Sequence, residues 1–144
     1  MKSIRTEVIV DAPPEQVWAV LTGFDRYGEW NPCIRSVDGE DGPDQTLLIT
    51  IRFAWLPPIR FKAQLDRFRQ NEILGWRAVF LAGLFIGHHW FELRPLDSGS
   101  STRFVHCETF EGLLSTPIFV VLSGLFRQGY TAMNRALKTR VEQK

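Results

Sequence analysis

Two histidines and a glutamate, His89, His106 and Glu108, are the side chains in this sequence best suited to move a proton or hold a polar group near neutral pH. His106 and Glu108 are two positions apart, so on a β-strand they point to the same face. His89 joins them through a turn. Asp97-Ser98-Gly99-Ser100 can close a hairpin with Ser98-Gly99 at its tip, and that register sets Leu93 opposite Phe104, Phe91 opposite His106 and His89 opposite Glu108. The other face of the hairpin carries Glu92, Arg94, Arg103, Cys107 and Glu111, which makes it the solvent side. The two histidines and the glutamate therefore point inward, among Phe91, Leu93, Phe104 and Phe110.

Polar groups buried among aromatics must be paired or meet water, because an unsatisfied one costs a few kcal/mol. Three uses follow. His89 and Glu108 can simply bond each other across the strands. The set can orient the polar end of a mostly apolar ligand, since binding pockets need only a few placed polar groups. Or His106 and Glu108 can act as acid and base in a cyclisation or dehydration. Other chemistries lack their residues. There is no Gly-x-Ser-x-Gly elbow or other nucleophile signature. Cys107 falls on the outer face, and Cys33 reads as a small buried hydrophobe. His88 and His89 point to opposite faces, leaving no recognised metal-ligand spacing, so neither metal nor cofactor is expected.

The elements that would position this set are legible in the pattern. Residues 3–10 alternate as a strand, and Asp11-Ala12-Pro13-Pro14 ends it. Proline followed by Glu15 and Gln16 starts a short helix with Val17, Trp18 and Leu21 on one stripe, running to about Thr22. Gly23 to Pro32 reads as a second short helix or turn. Six strands follow, over 33–39, 45–54, 59–69, 73–80, 87–95 and 102–111, separated by turn clusters too short for parallel crossovers. After Gly112, Ser115 and Thr116 offer capping hydroxyls and Pro117 a first-turn proline. Apolar residues then recur at Ile118, Leu122, Phe126, Tyr130, Met133, Leu137 and Val141, as in a long amphipathic helix. The expectation is an α+β fold: a seven-stranded curved antiparallel sheet wrapped around a long C-terminal helix, with two short helices between strands 1 and 2. On the inner face Leu47, Ile49, Ile51 and Phe53 line one strand and Leu74, Trp76, Ala78 and Phe80 another.

Composition sets outer bounds. At 144 residues the chain suits one domain spanning 1–144. A net charge of +1, with both signs interspersed, argues against nucleic acid as a partner. The charged start Met1-Lys2-Ser3-Ile4-Arg5 does not read as an export signal, and two unpaired cysteines suit a reducing compartment, so a cytoplasmic location is expected. Leu113 to Phe126 is too short and interrupted to be a transmembrane segment. With Gly83-Leu84-Phe85-Ile86-Gly87 it forms either the mouth of a cavity, through which a ligand would enter, or an exposed patch for a protein or membrane partner. No oligomeric state is implied.

Val8-Ile9-Val10-Asp11-Ala12-Pro13-Pro14-Glu15-Gln16-Val17-Trp18, then Tyr27-Gly28-Glu29-Trp30-Asn31-Pro32, give the chain a further signature. His89-Trp90-Phe91-Glu92-Leu93-Arg94-Pro95-Leu96, Thr102 to Gly112, and Gly129 to Lys138 continue it in order. With these blocks the whole chain resembles the START-like (SRPBCC) superfamily, which includes lipid-transfer domains, birch-pollen-type allergens and polyketide cyclase/dehydrase proteins with the helix-grip fold. The resemblance implies an internal cavity for a hydrophobic small molecule or lipid, and it carries no catalytic set onto these positions. The expected pocket has His89, His106 and Glu108 as its polar floor, beneath Phe126, Tyr130 and Met133. Its remaining lining is assigned to Trp30, Trp76, Phe80, Phe91, Phe104, Phe110 and Leu122.

Overall fold

The computed structural model describes residues 2–143, so the terminal residues of the expected 1–144 domain lie outside it. Strand β1 (Lys2–Val10) is followed by helix α1 (Pro14–Leu21), a 3-10 turn at Phe24–Arg26 and the single-turn helix α2 (Tyr27–Trp30). Then come β2 (Ile34–Asp38), β3 (Thr46–Ile51), β4 (Ile59–Arg69), β5 (Ile73–Phe80), β6 (Phe85–Leu96) and β7 (Ser101–Glu111), closed by helix α3 (Ser115–Glu142). The strands form one antiparallel sheet in the order β1-β7-β6-β5-β4-β3-β2. Among the described residues, no helix is long and apolar enough to cross a membrane.

β1 and β2 therefore lie at opposite edges, and the segment between them must cross the open side of the sheet. α1 does so by burying Pro14, Val17, Trp18 and Leu21, a spacing that puts all four on one helical face. The Tyr27 hydroxyl donates to the Leu21 carbonyl and ties α2 to α1. Asn31 then starts β2, its Oδ1 accepting from the backbone N–H groups of Cys33 at 3.0 Å and Ile34 at 2.8 Å. Register breaks in β4 between Leu65 and Arg67, and in β2 between Ile34 and Ser36, are the kind of irregularity that bends a sheet.

The hairpin register follows the turn chemistry: Leu93 faces Phe104, Phe91 faces His106 and His89 faces Glu108. Ser98 (φ +58°) and Gly99 (φ +94°) both adopt left-handed conformations, which suits the right-handed twist of the paired strands. The same geometry recurs one hairpin earlier, at Ala82 (φ +55°) and Gly83 (φ +94°). That turn lets Phe80 pair with Phe85, so β6 begins two residues before the expected start at 87.

Two further expectations are not met. β3 ends at Ile51 rather than 54, because Ala54 turns left-handed (φ +41°) and the Leu56 N–H donates to the Phe53 carbonyl at 2.8 Å. At the start of α3 the hydroxyl of Ser115 does not cap the helix. It donates back to the Gly112 carbonyl at 2.7 Å, since Leu114 holds the capping position and Ser115 is already in the first turn. α3 is 28 residues long, about 40 Å at the α-helical rise. Only its second half is fully packed: Tyr130, Met133, Asn134 and Leu137 are buried, whereas Val120 and Val121 are exposed.

Candidate functional site

The site is built where β6 and β7 pass beneath the middle of α3. Neighbouring strands and a register that opposes His89 to Glu108 bring the three expected polar residues together, and α3 adds Tyr130 and Asn134. His89 Nε2 lies 2.6 Å from His106 Nε2, and His106 Nδ1 lies 2.9 Å from Asn134 Oδ1. Asn134 Nδ2 donates to Thr6 Oγ1 on β1 at 2.8 Å. On the other side His89 Nδ1 is 3.7 Å from Glu108 Oε2, and the Tyr130 hydroxyl donates to Glu108 Oε1.

These contacts fix where each proton sits. Asn134 turns its amide nitrogen to Thr6, leaving its oxygen toward His106; that Oδ1 can only accept, so the His106 Nδ1 carries the proton. Burial, reinforced by the neighbouring His89, holds the His106 pKa well below the usual histidine range despite the opposing bond to Asn134. The ring is therefore neutral, and its Nε2 is a bare acceptor. His89 must then donate through Nε2. Burial lowers its pKa to about 3, so its Nδ1 keeps a lone pair facing Glu108. Burial also raises Glu108 well above the carboxylate range. The separation of 3.7 Å is long for a hydrogen bond, and two neutral groups are cheaper to bury than a loosely held ion pair. Burial thus favours a carboxylic acid facing an unprotonated imidazole nitrogen over an ion pair at this site.

Aromatic rings supply the burial. Trp76 stacks on His89 with ring centroids 5.1 Å apart, and Phe91 meets His106 edge-on at 4.7 Å. Tyr130 covers both imidazoles, 5.0 Å from His89 and 4.4 Å from His106. Above this floor is a cavity of about 60 Å³. Pockets that bury drug-sized ligands measure roughly 300–1,000 Å³, and an engineered cavity of about 150 Å³ is what admits benzene. The space present holds a few waters at most, and the aromatics themselves fill the remainder.

Seven of the expected lining residues border the cavity: Trp76, Phe80, His89, Glu108, Phe110, Phe126 and Tyr130. His106 does not. It is fully buried behind His89, so of the expected acid–base pair only Glu108 faces the cavity, with His89 beside it. Phe91, Phe104 and Met133 are likewise sealed in the core. Trp30 lies apart, packed on Tyr27 at 5.2 Å beside the C-terminal turns of α3. Leu122 is half-buried and outside the lining. Ile34, Ile51, Phe53, Phe61, Ala78 and Phe85 complete the wall. Ile51, Phe53 and Ala78 had the inward alternation that marks them. Asn134 could have been found from its place one helical turn after Tyr130, but its partner Thr6 depends on the β1–β7 register, which no local turn specifies.

Neither cysteine enters the site. Burial pushes the Cys33 thiol up to about 12, and Cys107 packs on the outer face beside Arg5, Glu92 and Arg94, its pKa also raised by burial.

A curved seven-stranded antiparallel sheet gripping one long C-terminal helix defines the helix-grip class. The sequence matches the family model described as polyketide cyclase / dehydrase and lipid transport over residues 1–142, and the chain belongs to that family. Among solved structures it is similar to the Zhui aromatase/cyclase from Streptomyces sp. R1128, at 18% identity and a TM-score of 0.80, over 98% of this chain and 93% of that one. A protein from Thermus thermophilus matches at 16% identity and a TM-score of 0.76, over 97% of each chain. Ara h 8.0201 matches at 13% identity and a TM-score of 0.72, again over 97% of each. At these identities the likeness is one of fold. No curated protein sequence matches.

Proposed function

We propose that this protein binds a compact, mostly hydrophobic small molecule in a cavity where Glu108, His89 and Tyr130 offer hydrogen bonds to a polar group on its inner end. The observation that carries this reading is the cavity walled by aromatics, with its few polar groups concentrated on one side. The family's description includes lipid transport, and a carrier or sensor needs no more than this arrangement. Because the cavity of about 60 Å³ is smaller than such a ligand, binding requires the wall aromatics to move outward. Native mass spectrometry of protein purified from its own source is the test. A co-purified apolar molecule supports the reading, and repeated absence of bound mass with no response to lipophilic dyes rejects it.

A second reading rests on the opposed protonation states of Glu108 and His89. A carboxylic acid beside an unprotonated imidazole nitrogen can run a dehydration. Glu108 gives its proton to a departing hydroxyl, which leaves as water, while His89 Nδ1 takes a proton from the adjacent carbon as the double bond forms. Transfer from His89 back to Glu108 resets the pair. His106 and Asn134 are positioning residues here, because they hold His89 in the tautomer that accepts at Nδ1. Under this reading Glu108→Gln abolishes turnover with ligand still bound, whereas in a carrier it changes affinity only modestly.

A further inference from the structure

The sequence suggested entry between the β5–β6 turn and the start of α3. That seam is stitched by backbone, the Leu114 N–H donating to the Leu84 carbonyl at 2.9 Å. Between α3 and the β3–β4 loop runs a groove of about 300 Å³, bordered by Cys33, Arg52, Leu125, Gln128 and Ala132. Among the described residues, Phe53 is the one that lines both this groove and the inner cavity.

Phe53 is placed as a removable partition. It lies beyond the end of β3, followed by left-handed Ala54, so a loop rather than the strand ladder holds it. Its ring packs on Phe126 at 5.0 Å and Tyr130 at 5.8 Å. It also rests on the bare backbone of Gly129, where a Cβ would come within 2.5 Å of two ring carbons. Swinging this ring into the groove would join the two spaces and bring the site into the size range of ligand pockets.

The rim of the groove is positive. Arg52 is exposed, and its guanidinium makes no ion pair among the described residues. Arg127 and Arg135 border the adjoining surface of α3, and neither lining contains Asp or Glu. We propose that groove and cavity form a single site for a small anionic amphiphile: a flat apolar body passes the displaced Phe53 ring toward Glu108, and a carboxylate stays outside on Arg52. This rests on the reading of the cavity as a ligand site.

The experiment measures affinities of naphthylbutanoic acid, its methyl ester and the corresponding alcohol, by fluorescence titration, for the wild-type protein, Arg52→Gln and Phe53→Ala. The acid is expected to bind wild type about fivefold more tightly than the alcohol or the ester, the upper end for an exposed ion pair. Arg52→Gln removes that preference and leaves alcohol binding intact, and Phe53→Ala speeds association of all three. Equal binding of acid and alcohol by wild type, or a preference that survives Arg52→Gln, would overturn the anion site while sparing the cavity. Unchanged association rates in Phe53→Ala would overturn the route. Failure of all three compounds to bind would overturn the cavity reading and this inference with it.

Discussion

The two halves of α3 meet the same sheet in different ways. From Tyr130 onward the helix buries Met133, Asn134 and Leu137 against β1 and β7, and its polar members are tied into the chain from Thr6 to His89. Between Thr116 and Gly129 no side chain is fully buried. Phe126 there borders the cavity, while Val120 and Val121 face outward. One half fixes protons and rings in place, and the other encloses space without filling it. Under the proposed function, the ordered half would hold a ligand's polar group and the looser half would admit its apolar body.

The contrast breaks first in the core. Phe104→Ala, at a fully buried position beside His106, is expected to cost about 3–5 kcal/mol of stability in chemical denaturation. Phe126→Ala, half-buried at the cavity, should cost well under half as much. Equal losses would mean that the two halves are equally packed.

Next is pH. Glu108 has a raised pKa in the fold, so its contribution is present in full below its unfolded value, about 4.3, and is given up as pH rises toward the folded value. The lowered pKa of His89, about 3, acts oppositely: stability is lost as pH falls from about 6.5, where the unfolded chain takes up a proton that the fold refuses. Glu108→Gln keeps a neutral side chain that still accepts from Tyr130. Its stability relative to wild type should therefore climb above pH 5, by up to about 1.4 kcal/mol per pH unit until the folded pKa is reached. Parallel denaturation profiles from pH 5 to pH 8 would show that Glu108 is ionised in the fold.

Asn134→Leu leaves the His106 Nδ1–H and the Thr6 hydroxyl without their partner, at a cost of about 1–3 kcal/mol. It should also free the His89 tautomer, visible as a change in the imidazole nitrogen shifts by NMR. The smallest effect belongs to the loose half. At Gly124 nothing lies within 4 Å of where a Cβ would go, so Gly124→Ala should stabilise by about 0.5–1 kcal/mol through helix propensity. Gly129→Ala, five residues on, should destabilise by displacing Phe53.

Most of this fold is readable in the sequence because it is written locally. Ser98-Gly99 sets one hairpin register, period-two alternation sets the faces of β5 to β7, and Pro14 with Val17, Trp18 and Leu21 defines α1. The inward direction of His89, His106 and Glu108 followed from those signals. What they touch did not. Whether His89 bonds Glu108 or His106 depends on side-chain rotamers and on how far α3 descends between the strands, and the bond to Asn134 joins elements that are distant in sequence. The cavity was hardest to read, since Phe53, Phe80 and Phe126 have the same pattern whether they line a space or fill it.

The central claim, that Glu108 is a neutral hydrogen-bonding group at the floor of a binding cavity, is tested most directly by calorimetric titration of naphthol and methylnaphthalene into wild type and Glu108→Leu. These ligands differ in one polar group. Wild type is expected to favour naphthol by about tenfold, the value of one buried hydrogen bond, and Glu108→Leu to bind the two alike. Equal affinities in wild type, or a naphthol preference that persists in Glu108→Leu, would contradict it.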